Sequence, residues 1–235
     1  MEDRPKPFLE HLEELRFRLI KSLISVALGT ALAYGFVDPA IALLSKPVGS
    51  FIFLEPTEAF FIRLKIALAL GVVLAVPVVL YQLWRFVALA LTPNEKKSIF
   101  WVLPASYLLF VLGISFGFFY LVPAGVKFLL SYASPALEPK LSIESYVNFV
   151  GTICLVLGAV FQMPLVSFFL AKMGLADSAW LAEKRRNAVL VTYIASALLT
   201  PGPDPVTAIM LAVPAYLLYE CSILTARLGS GKKIF

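Results

Sequence analysis

The sequence predicts an all-α integral membrane protein of six transmembrane helices, and three observations predict it. Six long stretches carry no charged residue: Ser22 to Val37, Ile66 to Trp84, Ser98 to Val126, Ser145 to Ala171, Asn187 to Pro203 and Pro205 to Tyr219. A bilayer core about 30 Å thick needs roughly 20 apolar helical residues to cross it, and in hydrocarbon only a helix or a closed barrel satisfies its own backbone. Hydrophobic residues make up 60% of the chain and charged ones 15%, which would leave a soluble domain of this size without enough polar surface to cover its core. The third observation is how the basic residues divide. With the N-terminus in the cytoplasm, the inside segments hold Arg4, Lys6, Arg16, Arg18, Lys21, Arg85, Lys96, Lys97, Lys172, Lys184, Arg185, Arg186, Arg227, Lys232 and Lys233, and the outside ones only Lys46, Arg63, Lys65, Lys127 and Lys140. By the positive-inside rule both termini are cytoplasmic. The net charge of +5 is therefore a topology signal, and no nucleic-acid partner is inferred from it.

A single transmembrane domain over 1–235 is expected, opening on a cytoplasmic amphipathic segment at 8–18. In that segment Phe8, Leu12, Leu15 and Leu19 share one helical stripe, while Glu10, Glu14 and Arg18 share another at i, i+4 spacing. One face seeks lipid or protein; the other offers acid to the cytoplasm. The first span, 19–37, follows a mixed-charge opening and ends without a small-residue cleavage site, so it reads as an anchor and not a removable signal peptide. Asp38 before Pro39 signals a short helix opening the first outside loop, 38–65, which is rich in proline and phenylalanine.

The second span, 64–88, and the third, 97–126, flank a short cytoplasmic connection in which Thr92-Pro93 marks a helix start and Glu95 lies in the first turn. Glu95 is open to a plain reading, the complement of that helix's dipole. A second outside loop, 127–144, leads to the fourth span, 145–171, with Gln162 the most polar residue deep inside it. A side-chain amide at that depth seeks a partner helix or water. The fifth and sixth spans, 187–200 and 205–224, are joined by the proline-rich turn Thr200-Pro201-Gly202-Pro203-Asp204-Pro205 and form a tight hairpin. From the basic cluster to Thr200 the fifth helix has about 13 residues, roughly 20 Å at 1.5 Å per residue. Such a helix is either tilted and packed against longer ones, or it thins the bilayer on its side. Prolines at 77, 104, 164 and 214 bend their helices and favour a curved bundle.

Enzyme chemistry is excluded by missing parts. His11, the only histidine, precedes the first span; neither H-E-x-x-H nor G-x-S-x-G occurs, and there is no glycine-rich phosphate loop. No cofactor or metal is expected. Cys154 and Cys221 lie far apart in or at the end of apolar runs and read as buried small residues. A solute permease would need a polar midplane site, yet Gln162, Thr152 and Asn148 stand nearly alone in their span.

The motifs resemble the TatC family, the polytopic receptor subunit of the twin-arginine protein translocase. The family's opening H-L-x-E-L-R-x-R-L stands here as His11-Leu12-Glu13-Glu14-Leu15-Arg16-Phe17-Arg18-Leu19. Further matches are Ser45-Lys46-Pro47, the run Pro77 to Phe86, Glu95-Lys96-Lys97, Lys184-Arg185-Arg186, Leu198 to Pro201 with Asp204, and Pro214 to Glu220. The resemblance implies Sec-independent export of folded proteins across the cytoplasmic (inner) membrane, driven by the proton-motive force. It implies that Glu14 and Glu95, with Glu10, Arg16 and Phe86 nearby, bind twin-arginine signal peptides at the cytoplasmic face. It assigns Gln162 to contact with TatA- and TatB-type single-span subunits, and implies assembly with further copies of the chain within membrane lipid. Pro47, Asp204 and Glu220 also fall on family positions; their plain readings are a turn, a cap or solvated acid, and a snorkelling end residue. For Phe86 the plain reading is helix packing or interfacial anchoring. Two departures stand out. The family often has glutamate at Gln162, and an amide cannot carry a proton; it usually has proline at Leu89, so the second helix is expected to end less sharply.

Overall fold

The computed structural model describes residues 8–46, 51–52, 55–88, 99–132, 141–200 and 204–230. Among them the chain is helical nearly throughout, and the one extended pairing is an isolated parallel bridge between Ile52 and Ser142. Five helical stretches are long and apolar enough to cross a bilayer: Leu12–Ser45, Glu58–Val87, Trp101–Leu130, Ile143–Lys172 and Pro205–Gly229. The remaining helix, Arg185–Leu199, has 15 residues, about 22 Å, which makes it the short one of six.

Contacts group the chain into two compact units, residues 1–44 with 59–107 and residues 45–58 with 108–235. In the first, α1 (Phe8–Ala33) passes through a 3-10 turn at Tyr34–Phe36 into α2 (Val37–Ser45), and α3 (Glu58–Val87) and the start of α4 (Ile99–Phe116) complete it. Asp38 sits inside the first turn of α2, because α1 runs into that helix without leaving a free N-terminus, and its carboxylate pairs with Arg63 at 2.8 Å. The helices α1 and α3 meet backbone to backbone at glycine. A Cβ on Gly71 would lie 2.4 Å from Thr30 Oγ1 and 2.5 Å from the Thr30 backbone, and one on Gly29 2.6 Å from the Gly71 carbonyl oxygen. Small residues allow such an approach where lipid offers no hydrophobic drive to association. Deeper along α3, Trp84 is buried and its indole N–H donates to Ser106 Oγ of α4 at 3.0 Å.

In the second unit α4 gives way to a π-helical turn, Gly117–Leu121, and then to α5 (Val122–Leu130). The fourth span is two helices, α6 (Ile143–Val160) and α7 (Met163–Lys172), separated at Phe161–Gln162, with Pro164 in the first turn of the second. Proline at the beginning of a helix has no N–H to leave unsatisfied, so the break is made where it costs least. After the six-residue α8 (Ser178–Glu183) come α9 (Arg185–Leu199) and α10 (Pro205–Gly229). The last helix runs on to Gly229, past the end of its charge-free stretch, and takes in Glu220 and Arg227. α10 is the packing axis of this unit, lying along α7 and α9, and the buried core includes Ile153, Leu157, Phe169, Leu211 and Ile223. Thr225 Oγ1 of α10 donates to the Pro164 carbonyl of α7 at 2.6 Å. α9 buries only Ser196 and leaves Leu198 81% exposed, so most of its surface is offered to lipid or to another chain.

Candidate functional site

The acid stripe on α1 is built by helix geometry: residues four apart stand one turn above each other. Glu14 is partly exposed, and Arg18, one turn on, is 8% exposed. Arg18 NH2 donates to Glu14 Oε1, and Arg18 NH1 donates to Gln82 Oε1 of α3 at 3.4 Å. Its Nε is buried without a hydrogen-bond partner. Glu14 Oε2 takes no bond among the described residues. A carboxylate offers about four lone-pair positions, so most of its accepting capacity is open.

Around Gln82 on α3 the neighbours are aromatic and basic. Arg85 NH1 donates to the Tyr81 hydroxyl at 3.0 Å, and its guanidinium carbon lies 5.6 Å from the Tyr81 ring centroid. Both side chains are exposed, and Phe86 next to them is half-buried. Glu13 and Arg16 are exposed on the other side of α1. Glu10 lies in α1, but its side chain is outside the described set. Glu95 and Pro47 also lie outside the described residues, as do Leu89 and the Thr92-Pro93 helix start. Of the residues named for signal binding, Glu14, Arg16 and Phe86 are therefore placed, and they share the first unit.

The second unit holds a different carboxylate arrangement. Arg185 at the start of α9 forks onto Glu220 of α10, Nε to Oε1 and NH2 to Oε2, both at 2.9 Å. The Tyr216 hydroxyl, one turn before Glu220, donates to the same Oε1 at 2.8 Å, and the Tyr219 hydroxyl donates to the Leu181 carbonyl at 2.6 Å. Such a planar fork is the strongest form of arginine–carboxylate recognition. Asp204 caps α10, accepting the Thr207 N–H at 2.7 Å with Pro205 following it. Gln162 stands at the break between α6 and α7, and its backbone carbonyl accepts the N–H groups of Leu165 and Val166, each at 3.0 Å.

Sequence reasoning missed three partners. Gln82 gave a signal, a lone amide at the end of a long apolar run. The Arg185–Glu220 fork gave none, because 35 residues separate the two. Glu58 was passed over within a proline-rich loop, yet it is buried and accepts both the Ser142 hydroxyl at 2.8 Å and the Glu144 N–H at 3.0 Å. Its own N–H donates to the Glu55 carbonyl, and the adjacent bridge ties Ile52 to Leu141 and Ile143, so the segments at Ile52–Glu58 and Leu141–Glu144 are joined there. No group of three metal-ligating side chains occurs among the described residues.

This is a multi-pass α-helical membrane protein with arginine–carboxylate pairs at Glu14–Arg18, Asp38–Arg63 and Arg185–Glu220 among the described residues. A family model described as Sec-independent protein translocase protein (TatC) matches residues 10–214. The Sec-independent protein translocase protein TatC of Carboxydothermus hydrogenoformans is 39% identical over 237 residues, spanning 99% of this chain and 98% of that one. Its counterpart in Aquifex aeolicus is 38% identical over 235 residues, 97% of each chain. A crystal structure of the twin arginine translocase receptor TatC aligns with a TM-score of 0.86 at 37% identity, covering 94% of this chain and 99% of that one. The chain belongs to the TatC family.

Proposed function

We propose that this protein is the receptor core of Sec-independent export, binding twin-arginine signal peptides of folded cargo at its cytoplasmic face through Glu14 and Glu95. The observation that carries the reading is the state of Glu14, a partly exposed carboxylate held by Arg18 through one oxygen with its other positions open. A guanidinium fills such a group through two parallel bonds, whereas a lysine ammonium meets it as a point charge. Glu10, Arg16 and Phe86 border the site in this reading. Gln162, at the helix break, receives TatA- and TatB-type single-span subunits by hydrogen bonding and not by proton transfer. Pro47 shapes the first outside loop. The protein sits in the cytoplasmic (inner) membrane with both termini inside, as the basic-residue asymmetry supports. The transmembrane potential supplies about 2.3 kcal/mol per charge per 100 mV, enough to drive a conformational or assembly step.

The test is binding of a signal peptide carrying Arg-Arg, and of its Lys-Lys counterpart, to the purified protein. Glu14→Ala and Glu95→Ala each remove charge-assisted bonds worth about 1.5–3 kcal/mol, a tenfold or larger loss of affinity. The Lys-Lys peptide binds poorly even to the unaltered protein. Equal binding of both peptides to all three proteins refutes the carboxylate reading, and crosslinks from positions 14 and 95 to the peptide in native membranes locate it directly.

A further inference from the structure

We infer that Arg18 is a positioning residue that fixes the plane of the Glu14 carboxylate, and so sets the preference for arginine over lysine in the bound peptide. The inference rests on the signal-binding reading of Glu14 and goes beyond it by assigning the residue that gives that carboxylate its selectivity.

Arg18 is 8% exposed, and its Nε is buried without a partner. A buried guanidinium with an orphaned donor is a poor arrangement for stability alone. What holds it are its two terminal nitrogens, NH1 on Gln82 of α3 and NH2 on Glu14 Oε1. One end is tied to the neighbouring helix and the other to the acid. A carboxylate on a partly exposed glutamate otherwise turns freely about its last bond, which is broad and two-fold. With Oε1 held from the buried side, its outer edge stays presented for an incoming fork.

The two cation types respond differently to that restraint. A guanidinium needs both oxygens in one plane, and it loses a bond when the carboxylate turns. A lysine ammonium depends on distance and hardly on orientation. The charge of Arg18 itself repels either peptide alike, so it cancels in the ratio of the two affinities. That ratio isolates orientation from charge and from general loosening of the fold, both of which shift the two affinities together.

The experiment measures Arg-Arg and Lys-Lys signal peptides against the full-length protein and its Arg18→Lys, Arg18→Gln, Gln82→Ala and Glu14→Ala variants in detergent or nanodiscs. Arg18→Lys keeps the charge and loses the planar tie; the Arg-Arg to Lys-Lys preference is expected to fall several-fold with Lys-Lys affinity unchanged within twofold. Gln82→Ala removes the far anchor and lowers the preference by a smaller factor, and it carries the test if an Arg18 variant does not fold. In the Glu14→Ala background Arg18→Gln changes the preference no further. A preference unmoved in Arg18→Lys and Gln82→Ala, while Glu14→Ala still weakens binding, overturns the positioning role alone. Undiminished binding by Glu14→Ala overturns the reading beneath it.

Discussion

Replacing Gly71 with alanine tests how the first unit is held together. The added Cβ would meet the Thr30 backbone at 2.5 Å and Thr30 Oγ1 at 2.4 Å, so α1 and α3 must separate by about 1 Å to reach ordinary van der Waals contact. Overpacking against a backbone that cannot rotate away costs about 3 kcal/mol, the upper end of its usual range. Alanine is the better helix former by about 1 kcal/mol, which offsets part of that. The net loss is about 2 kcal/mol, or about 4–8 °C in the melting temperature of a chain this long. Gly151 of α6 is the control, since a Cβ there meets nothing within 4 Å. Gly151→Ala keeps only the propensity gain and melts at or above the parent temperature. Thermal unfolding in detergent, followed by tryptophan fluorescence, reads both variants. A Gly71→Ala protein as stable as Gly151→Ala refutes the backbone crossing.

Asp204→Ala deletes the α10 cap and costs about 1 kcal/mol, or 2–4 °C, while Asp204→Asn keeps an accepting oxygen and recovers most of it, as the same melting experiment checks. For the α9–α10 fork, Arg185→Glu and Glu220→Arg each lower thermal stability, and the double exchange restores part of the loss; two single effects that merely add refute the pairing. Thr225→Val removes the bond to the Pro164 carbonyl at the α7 start and costs about 0.6 kcal/mol, the usual worth of such a bond in a membrane, so a shift above about 5 °C contradicts that role.

Periodicity and charge made the membrane helices legible, because the bilayer forbids unpaired backbone and penalises charge, leaving long apolar runs. The same signal was blind inside those runs. Pro164 marks a bend in the fourth span, but nothing in the sequence tells that the helix stops outright at Phe161–Gln162 or that a π turn spans Gly117–Leu121, since both depend on how neighbouring helices re-satisfy the backbone. Asp204 reads from the sequence as a cap or a solvated acid and the structure makes it the cap of α10, whereas Asp38 before Pro39, which reads as a helix start, lies inside the first turn of a helix that continues from α1. Glu220 was not legible as an arginine partner, since its fork is made across helices. Glu14 stood out through i, i+4 spacing to Arg18, but Gln82 completes the group from another helix, and only packing brings it there.

If Glu14 binds the signal peptide as proposed, packing and recognition are one problem in this unit. Eleven residues separate Arg18 from Gly29 along α1, and eleven separate Gly71 from Gln82 along α3 in the opposite direction. The Gly29–Gly71 crossing and the Arg18–Gln82 contact therefore belong to a single antiparallel register, about 16 Å apart along the helices. A slip of one residue at the glycines would rotate Gln82 about 100° away from Arg18, at 3.6 residues per turn. The separation forced by Gly71→Ala reaches the acid end by the same route, and at 3.4 Å the Arg18–Gln82 bond is already at the long limit of a useful hydrogen bond. That variant should thus lose part of the arginine preference together with its stability, whereas Asp204→Ala should lose stability alone. Peptide binding measured on both, below their melting temperatures, separates a site fixed by glycine packing from one that assembles independently of it.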